Sequence, residues 1–211
     1  MFVIPFYFCC ICLFKQLKEK MSTTQTIPSK VFTYKDYLKL DDDKRYEIIN
    51  GELIMVPAPD LEHQETSGEL DFLFRQYIKK NNLGKIFTAP TDVILDEKNT
   101  IQPDIIYVSK KNLHILRKKG IFGSPDCVVE ILSPSSIEVD RYKKMPLYEK
   151  FKIKEYWIVD VANKAIEIFT LEDDKYKIFS FAAEKGIIKS NVIKGFKIEI
   201  SKILESLMKY S

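Results

Sequence analysis

Asp126-Cys-Val-Val-Glu130-Ile-Leu132-Ser133-Pro134 is the stretch on which the fold turns. From Cys127 to Leu132 every residue but Glu130 is apolar, the pattern of a strand covered on both faces in the middle of a sheet, and the Ser-Pro pair ends it. A lone ionised carboxylate in such a strand is costly unless a cation, a hydrogen-bond network or a raised pKa compensates it. Glu130 therefore implies a partner.

The flanking segments supply candidates. Upstream, Gln102-Pro-Asp104-Ile-Ile-Tyr-Val108 sets a second carboxylate directly before an apolar run, 26 residues ahead of Glu130. Acidic groups on two adjacent strands suit a hard divalent cation, Mg²⁺ or Mn²⁺, which takes oxygen ligands and keeps waters that a phosphate can replace. Downstream, Ser133 to Ser136 is a turn cluster leading into Ile137 to Phe151, helical in spacing but interrupted by Pro146, which kinks it or starts a second turn. At helical spacing Asp140, Lys144 and Tyr148 share one face. A lysine there could orient an attacking water and offset phosphate charge. Carboxylates for a metal, a cation for the phosphate and an activated water are the minimum for phosphodiester hydrolysis.

Further out, Tyr46-Glu-Ile-Ile-Asn50-Gly51-Glu-Leu-Ile-Met-Val56 carries an Asn-Gly pair between two β-favouring runs, a hairpin signal because a type I′ turn needs φ > 0 at both central residues. A two-residue loop pairs Ile49 with Glu52 and Glu47 with Ile54, so both glutamates project to one side. From Glu62 to Lys80, Leu70, Leu73, Phe74, Tyr77 and Ile78 follow the spacing of an amphipathic helix with His63 on its apolar stripe, and Asn81, Asn82 and Gly84 end it. Strand-like runs are expected at Lys85–Leu95, Thr100–Ser109, Glu155–Val161, Ala165–Leu171 and Tyr176–Ala182, with short strands near Ile187 and Phe196 and a terminal helix near Ile200 to Lys209. Strands outnumber helices, and nothing alternates regularly. The class is α/β or, more closely, α+β, a mixed sheet flanked by helices.

Composition bounds the rest. The 211 residues fit one ordinary domain, and 33 basic against 30 acidic side chains give +3, too weak for a protein that coats nucleic acid by bulk charge. Met1 to Phe14 is uncharged and holds three of the four cysteines. It is too short to span a bilayer and lacks the basic start of a secretory signal. The preferred reading makes residues 1–20 an upstream extension or leader and 21–211 a single domain, with a membrane-associating segment as the competitor. Without residues 1–20 the balance is 30 against 29 and only Cys127 remains. A single thiol forms no internal disulfide, which suits a cytoplasmic protein that needs no membrane.

Taken together, Tyr46-Glu-x-x-Asn-Gly-Glu-Leu, Pro57-Ala-Pro with His63, Gln102-Pro-Asp104, Val129-Glu-Ile-Leu-Ser-Pro-Ser135, Asp140 with Lys144, and Glu155-Tyr-Trp-Ile-Val-Asp160 resemble the Uma2 family, a group assigned as restriction endonucleases within the PD-(D/E)XK nuclease superfamily. The resemblance runs from about Phe32 to Tyr176. It implies a restriction-endonuclease-like core, a Mg²⁺-dependent endonuclease acting on DNA, Asp104 and Glu130 as metal ligands, and a homodimer as one arrangement for cutting both strands. The superfamily's usual lysine two positions after the glutamate is missing, since Leu132 stands there, and Lys144 on the following helix is the natural replacement. For the early acidic residue both Glu47 and Glu52 stand as candidates, Glu47 preferred because it lies deeper in the hairpin.

Other readings compete. Asp104 could only bind nearby backbone, and Glu130 could be a structural ion pair with Lys144 or Arg141. Lys144 could belong to a solvated charge run, His63 could be a satisfied structural histidine, and Cys127 reads as a small buried hydrophobe. The cluster Lys110, Lys111, Arg117, Lys118, Lys119 is a solvated face or a phosphate-backbone contact. At the level of function, the alternative is a nucleic-acid-binding or interaction module on the same fold without hydrolysis.

Overall fold

The computed structural model describes residues 30–204, and residues 31–204 belong to one unit. The expected extension over residues 1–20 lies outside the described residues, as does the far end of the terminal helix.

The chain runs through a short helix α1 (Tyr34–Tyr37), the hairpin β1 (Arg45–Ile49) and β2 (Glu52–Val56), and a long helix α2 (Leu61–Asn81). Strands β3 (Gly84–Thr88), β4 (Val93–Asp96), β5 (Asn99–Ile101) and β6 (Ile105–Ser109) follow, then β7 (Leu116–Arg117), β8 (Gly120–Phe122) and β9 (Cys127–Ile131). A helix α3 (Met145–Lys150) leads to β10 (Glu155–Asp160), β11 (Ala165–Glu172) and β12 (Lys175–Ala183), and the hairpin β13 (Ile187–Lys189) and β14 (Lys197–Glu199) precedes α4 (Ser201–Leu204).

These strands form two six-stranded sheets, ordered β2-β1-β5-β4-β8-β7 and β12-β11-β10-β9-β6-β3, beside the β13-β14 pair. Both large sheets are mixed: β9 runs parallel to β10 and β4 parallel to β8, the other pairings being antiparallel. The hairpin has the expected register, Glu47 opposite Ile54 and Ile49 opposite Glu52, and Asn50 and Gly51 take φ of 51° and 81°.

One expectation needs correcting. The run Lys85–Leu95 is two strands, not one, and β3 and β4 lie in different sheets. The run Thr100–Ser109 divides in the same way into β5 and β6. Proline explains both breaks: Pro90 and Pro103 have no N–H to give a ladder, so the chain leaves one sheet at each and enters the other. The mixed α+β core is accordingly built of two large mixed sheets with one long helix. The pair β7 and β8 falls on a stretch whose basic residues and glycine hide the strand signal.

Strand β9 shows why its sequence is almost wholly apolar. Cys127, Val129 and Ile131 enter a core formed with Leu70, Phe74 and Trp157, while Val128 and Leu132 enter a second core formed with Ile49, Ile106 and Tyr156. Alternation along the strand feeds both cores, and all five of its residues are buried. Helix α2 covers the first core with Leu70, Phe74 and Ile78; Asp60 caps its start by accepting from His63 N, and Asn82 ends it in the left-handed conformation. Just beyond, Gly84 lets β3 approach β6, because a Cβ there would lie 2.2 Å from the Val108 carbonyl oxygen.

Candidate active site

Glu130 lies on the face of β9 shared with Val128, and there it meets the end of the helical segment after Ser136. Residues Val139–Lys144 form wide π-helical turns, with Met145 N–H donating to the Asp140 carbonyl, and Pro146 then sits in the first turn of α3. Such turns often mark functional sites. They deliver three side chains together. Lys144 Nζ lies 3.0 Å from Glu130 Oε1, 3.1 Å from Glu47 Oε1 and 3.2 Å from Asp140 Oδ1, and the Tyr148 hydroxyl donates to Glu130 Oε1 at 2.5 Å. All five residues are buried. The shared face of Asp140, Lys144 and Tyr148 is thus real, and Glu130 is what it faces.

Hairpin β1–β2 contributes Glu47, whose Oε1 also accepts the Gln102 backbone N–H at 2.7 Å. Glu52 points elsewhere: it takes both carboxylate hydrogen bonds from Lys143, at 3.0 and 2.8 Å, in an exposed pair outside the cluster. Geometry therefore separates two residues that the sequence left as alternatives, placing Glu47 in the cluster.

Asp104 and Glu130 each lie one step beyond the last paired couple of β6 and β9, Ile105 with Val129. Where the ladder stops, the Asp104 side chain takes over, accepting the Ile131 N–H at Oδ2 over 2.8 Å. The same oxygen lies 3.1 Å from His63 Nε2. His63 reaches it from the first turn of α2, so the Asp60 cap that starts the helix also aims the imidazole.

Glu47, His63, Asp104, Glu130, Asp140 and Lys144 line one cleft of about 680 Å³, walled by the Pro57–Asp60 loop on one side and the Ser133–Ser136 loop on the other. Burial pushes the Glu130 carboxyl up, Lys144 pulls it down, and Asp140, Asp104 and Glu47 push it further, leaving it well above the usual carboxylate range. Burial would lower Lys144, yet Glu130, Glu47 and Asp140 outweigh it and hold the ammonium charged. For His63, burial is outweighed by the hydrogen bond to Asp104 and the charges of Asp104 and Asp60, so its pKa is raised. Four carboxyl groups thus face one lysine and one histidine, a surplus of acidic over basic groups in a buried place.

The surplus fits a divalent cation. Both hydrogen bonds to Glu130 fall on Oε1 and both to Asp104 on Oδ2, which leaves Oε2 and Oδ1 as oxygen donors. Among the described residues no three His, Cys, Asp or Glu side chains are gathered into a metal-holding group by themselves. Two carboxylates completed by water and substrate are the manner of Mg²⁺ rather than of a metal caged by protein.

The family model described as "Putative restriction endonuclease", named Uma2, matches residues 34–201, which is most of the chain. The chain belongs to the Uma2 family. No curated protein matches it. Among solved structures, a crystal structure described as that of "a putative nuclease belonging to DUF820", from Anabaena variabilis, superposes with a TM-score of 0.70 at 17% identity, over 84% of this chain and 99% of the other. At that identity the likeness shows the fold, a nuclease-like mixed α+β architecture. The Uma2 match spans every residue of the cleft described above.

Two site residues escaped the sequence reading. Arg45 lines the cleft two positions before Glu47, on the same face of β1, a placement that period-two alternation could have flagged. Gln102 holds it, accepting from Arg45 Nε at Oε1 over 3.1 Å. The basic cluster, meanwhile, is divided: Arg117, Lys118 and Lys119 line a second cleft of about 520 Å³ that shares Pro90 with the first, whereas Lys111 lies at a third. Cys127 is a free, buried thiol. No described helix is long and apolar enough to cross a membrane.

Proposed function

We propose that this Uma2 chain is a Mg²⁺-dependent endonuclease, with Mn²⁺ as a substitute ion, hydrolysing phosphodiester bonds in DNA. The observation that carries the reading is the convergence of Glu47, Glu130 and Asp140 on Lys144 at the floor of a cleft that Asp104 also faces. Asp104 and Glu130 would hold the cation. When bound, it supplies positive charge for the phosphate in transition and makes a water more acidic.

The remaining work falls to the chain's own groups. Lys144, kept charged by its neighbours, orients the attacking water and offsets phosphate charge. Glu47 and Asp140 fix the lysine, and Tyr148 fixes the inner oxygen of Glu130. His63 sits on Asp104 and holds that carboxylate toward the cleft. The near-neutral charge of residues 21–211 fits substrate held locally rather than by bulk attraction. The single cysteine of that stretch suits the cytoplasm, and pairing of two copies would serve double-strand cutting.

Supercoiled plasmid incubated with Mg²⁺ or Mn²⁺ and the full chain should be nicked. EDTA should abolish nicking, and Asp104→Ala and Glu130→Ala should each slow it by about 10²-fold or more. Equal nicking by wild type and both variants would sink the reading. The same convergence also supports a second reading, a structural ion-pair network in a module that binds nucleic acid without cutting. That reading expects DNA binding with no metal-dependent nicking.

A further inference from the structure

Arg45 is the one cation in the main cleft, among the described residues, that no carboxylate neutralises. Lys144 is held by three carboxylates and His63 by one. Arg45 lies on the same cleft, yet its bond is to a neutral amide oxygen, Gln102 Oε1, through Nε alone. Its two terminal nitrogens make no hydrogen bond or ion pair with any described residue.

The amide that holds it is itself fixed. Gln102 is buried, and its Nε2 donates to Asp92 Oδ1 at 2.8 Å and to the Tyr37 hydroxyl at 3.1 Å. Tyr37 donates in turn to Asp92 Oδ1 at 2.9 Å. With both donors engaged on one side, the amide can present only its oxygen to Arg45. The Gln102 backbone N–H is meanwhile bonded to Glu47. A buried glutamine thus ties the guanidinium and an acidic residue of the cluster to one point. It holds the arginine by its inner nitrogen and leaves the outer fork free. A planar fork with two free terminal nitrogens matches two oxygens of a phosphate.

We propose that Arg45 is a phosphate clamp of the cleft, taking a phosphodiester oxygen of the bound strand through its terminal nitrogens, and that Gln102 is its positioning residue. The proposal rests on the nuclease reading, and it requires phosphate in the cleft whether or not the bond is cut.

The test separates binding from cutting. Binding of a fluorescent 20-base-pair duplex is measured by anisotropy in EDTA at several salt concentrations, and plasmid nicking is measured in Mg²⁺. Arg45→Gln should weaken binding about tenfold and make the dependence of log affinity on log salt shallower by about one. Arg45→Lys should keep the slope, because the charge remains, and lose part of the affinity. Gln102→Glu gives the arginine a carboxylate partner and loses the donation to Asp92 Oδ1, so its slope should fall as in Arg45→Gln. The double variant should lose no further slope. A purely structural role for Gln102 would lower the melting temperature and leave the slope alone, which would overturn its assignment. Nicking by wild type together with unchanged affinity and slope in Arg45→Gln would overturn the clamp and spare the nuclease. Loss of binding in Arg45→Gln with no nicking in any metal would support the clamp and remove the nuclease. No duplex binding by wild type, together with no nicking in any metal, would remove both.

Discussion

Lys144 shows how much a single side chain can hold in place. Its ammonium offsets three buried carboxylates, and each of these would otherwise face its neighbours across a low-dielectric floor. Removing one partner of a buried ionic group costs far more than the group contributes when intact, because unpaired charge stays behind. Lys144→Met should therefore destabilise the protein by about 3–5 kcal/mol in urea unfolding at pH 7. Adding Glu47→Gln in that background should recover part of the loss, since it removes one stranded charge and still accepts the Gln102 N–H. If Lys144→Met alone is neutral, the cluster is not the charged arrangement described. The sequence showed Glu130 clearly, since a carboxylate in an otherwise apolar strand cannot pass unnoticed. It also put Lys144 and Asp140 on one face, because helical spacing is local. It could not choose between Glu47 and Glu52, which a two-residue hairpin leaves on the same side. The choice depends on Lys143, ninety-one residues further along, which draws Glu52 outward.

Among the elements, legibility followed the locality of the signal. Hairpin β1–β2, helix α2 and strand β9 were plain, each marked by its own turn, cap or composition. The splitting of Lys85–Leu95 between two sheets was not, because apolar content reports burial and is silent about which sheet receives it. Pro90 was the local trace of that split. A similar economy holds the opposite ends of the strands. Asp126, just before β9, accepts Ser109 N–H from the end of β6 at 2.8 Å and Lys154 Nζ from the approach to β10 at 2.5 Å. Burial would raise its pKa, but Lys154 and the Ser109 N–H outweigh this and hold it below the usual carboxylate value. A carboxylate depressed on folding stabilises above its unfolded pKa of about 3.9, and that contribution disappears as pH falls through the folded value. Wild type should then exceed Asp126→Asn in urea stability at pH 7, with the gap closing below about pH 4. A gap that stays constant from about pH 7 to about pH 3 would count against it.

For the molecule as a whole, charge is the informative quantity. A chain near neutrality cannot gather a polyanion by its average field, so the proposed substrate would need basic groups placed where its strand passes. Arg117 is turned back on its own hairpin, donating to the Leu116 carbonyl at 3.0 Å. Lys118 and Lys119 remain on the second cleft, next to the first through Pro90. Replacing both by glutamine should reduce the salt slope of duplex binding by about two while leaving urea stability within about 0.5 kcal/mol. An unchanged slope would place the strand elsewhere. Finally, β9 supplies both hydrophobic cores while it carries Glu130, whereas the cleft walls are loops. On the proposed reading the metal-holding carboxylate would thus sit in the part of the protein that opens only with global unfolding, and the loops that would meet a bound strand are those freest to change. On that reading, rewriting Pro57–Asp60 or Ser133–Ser136 would change what the cleft accepts without disturbing β9.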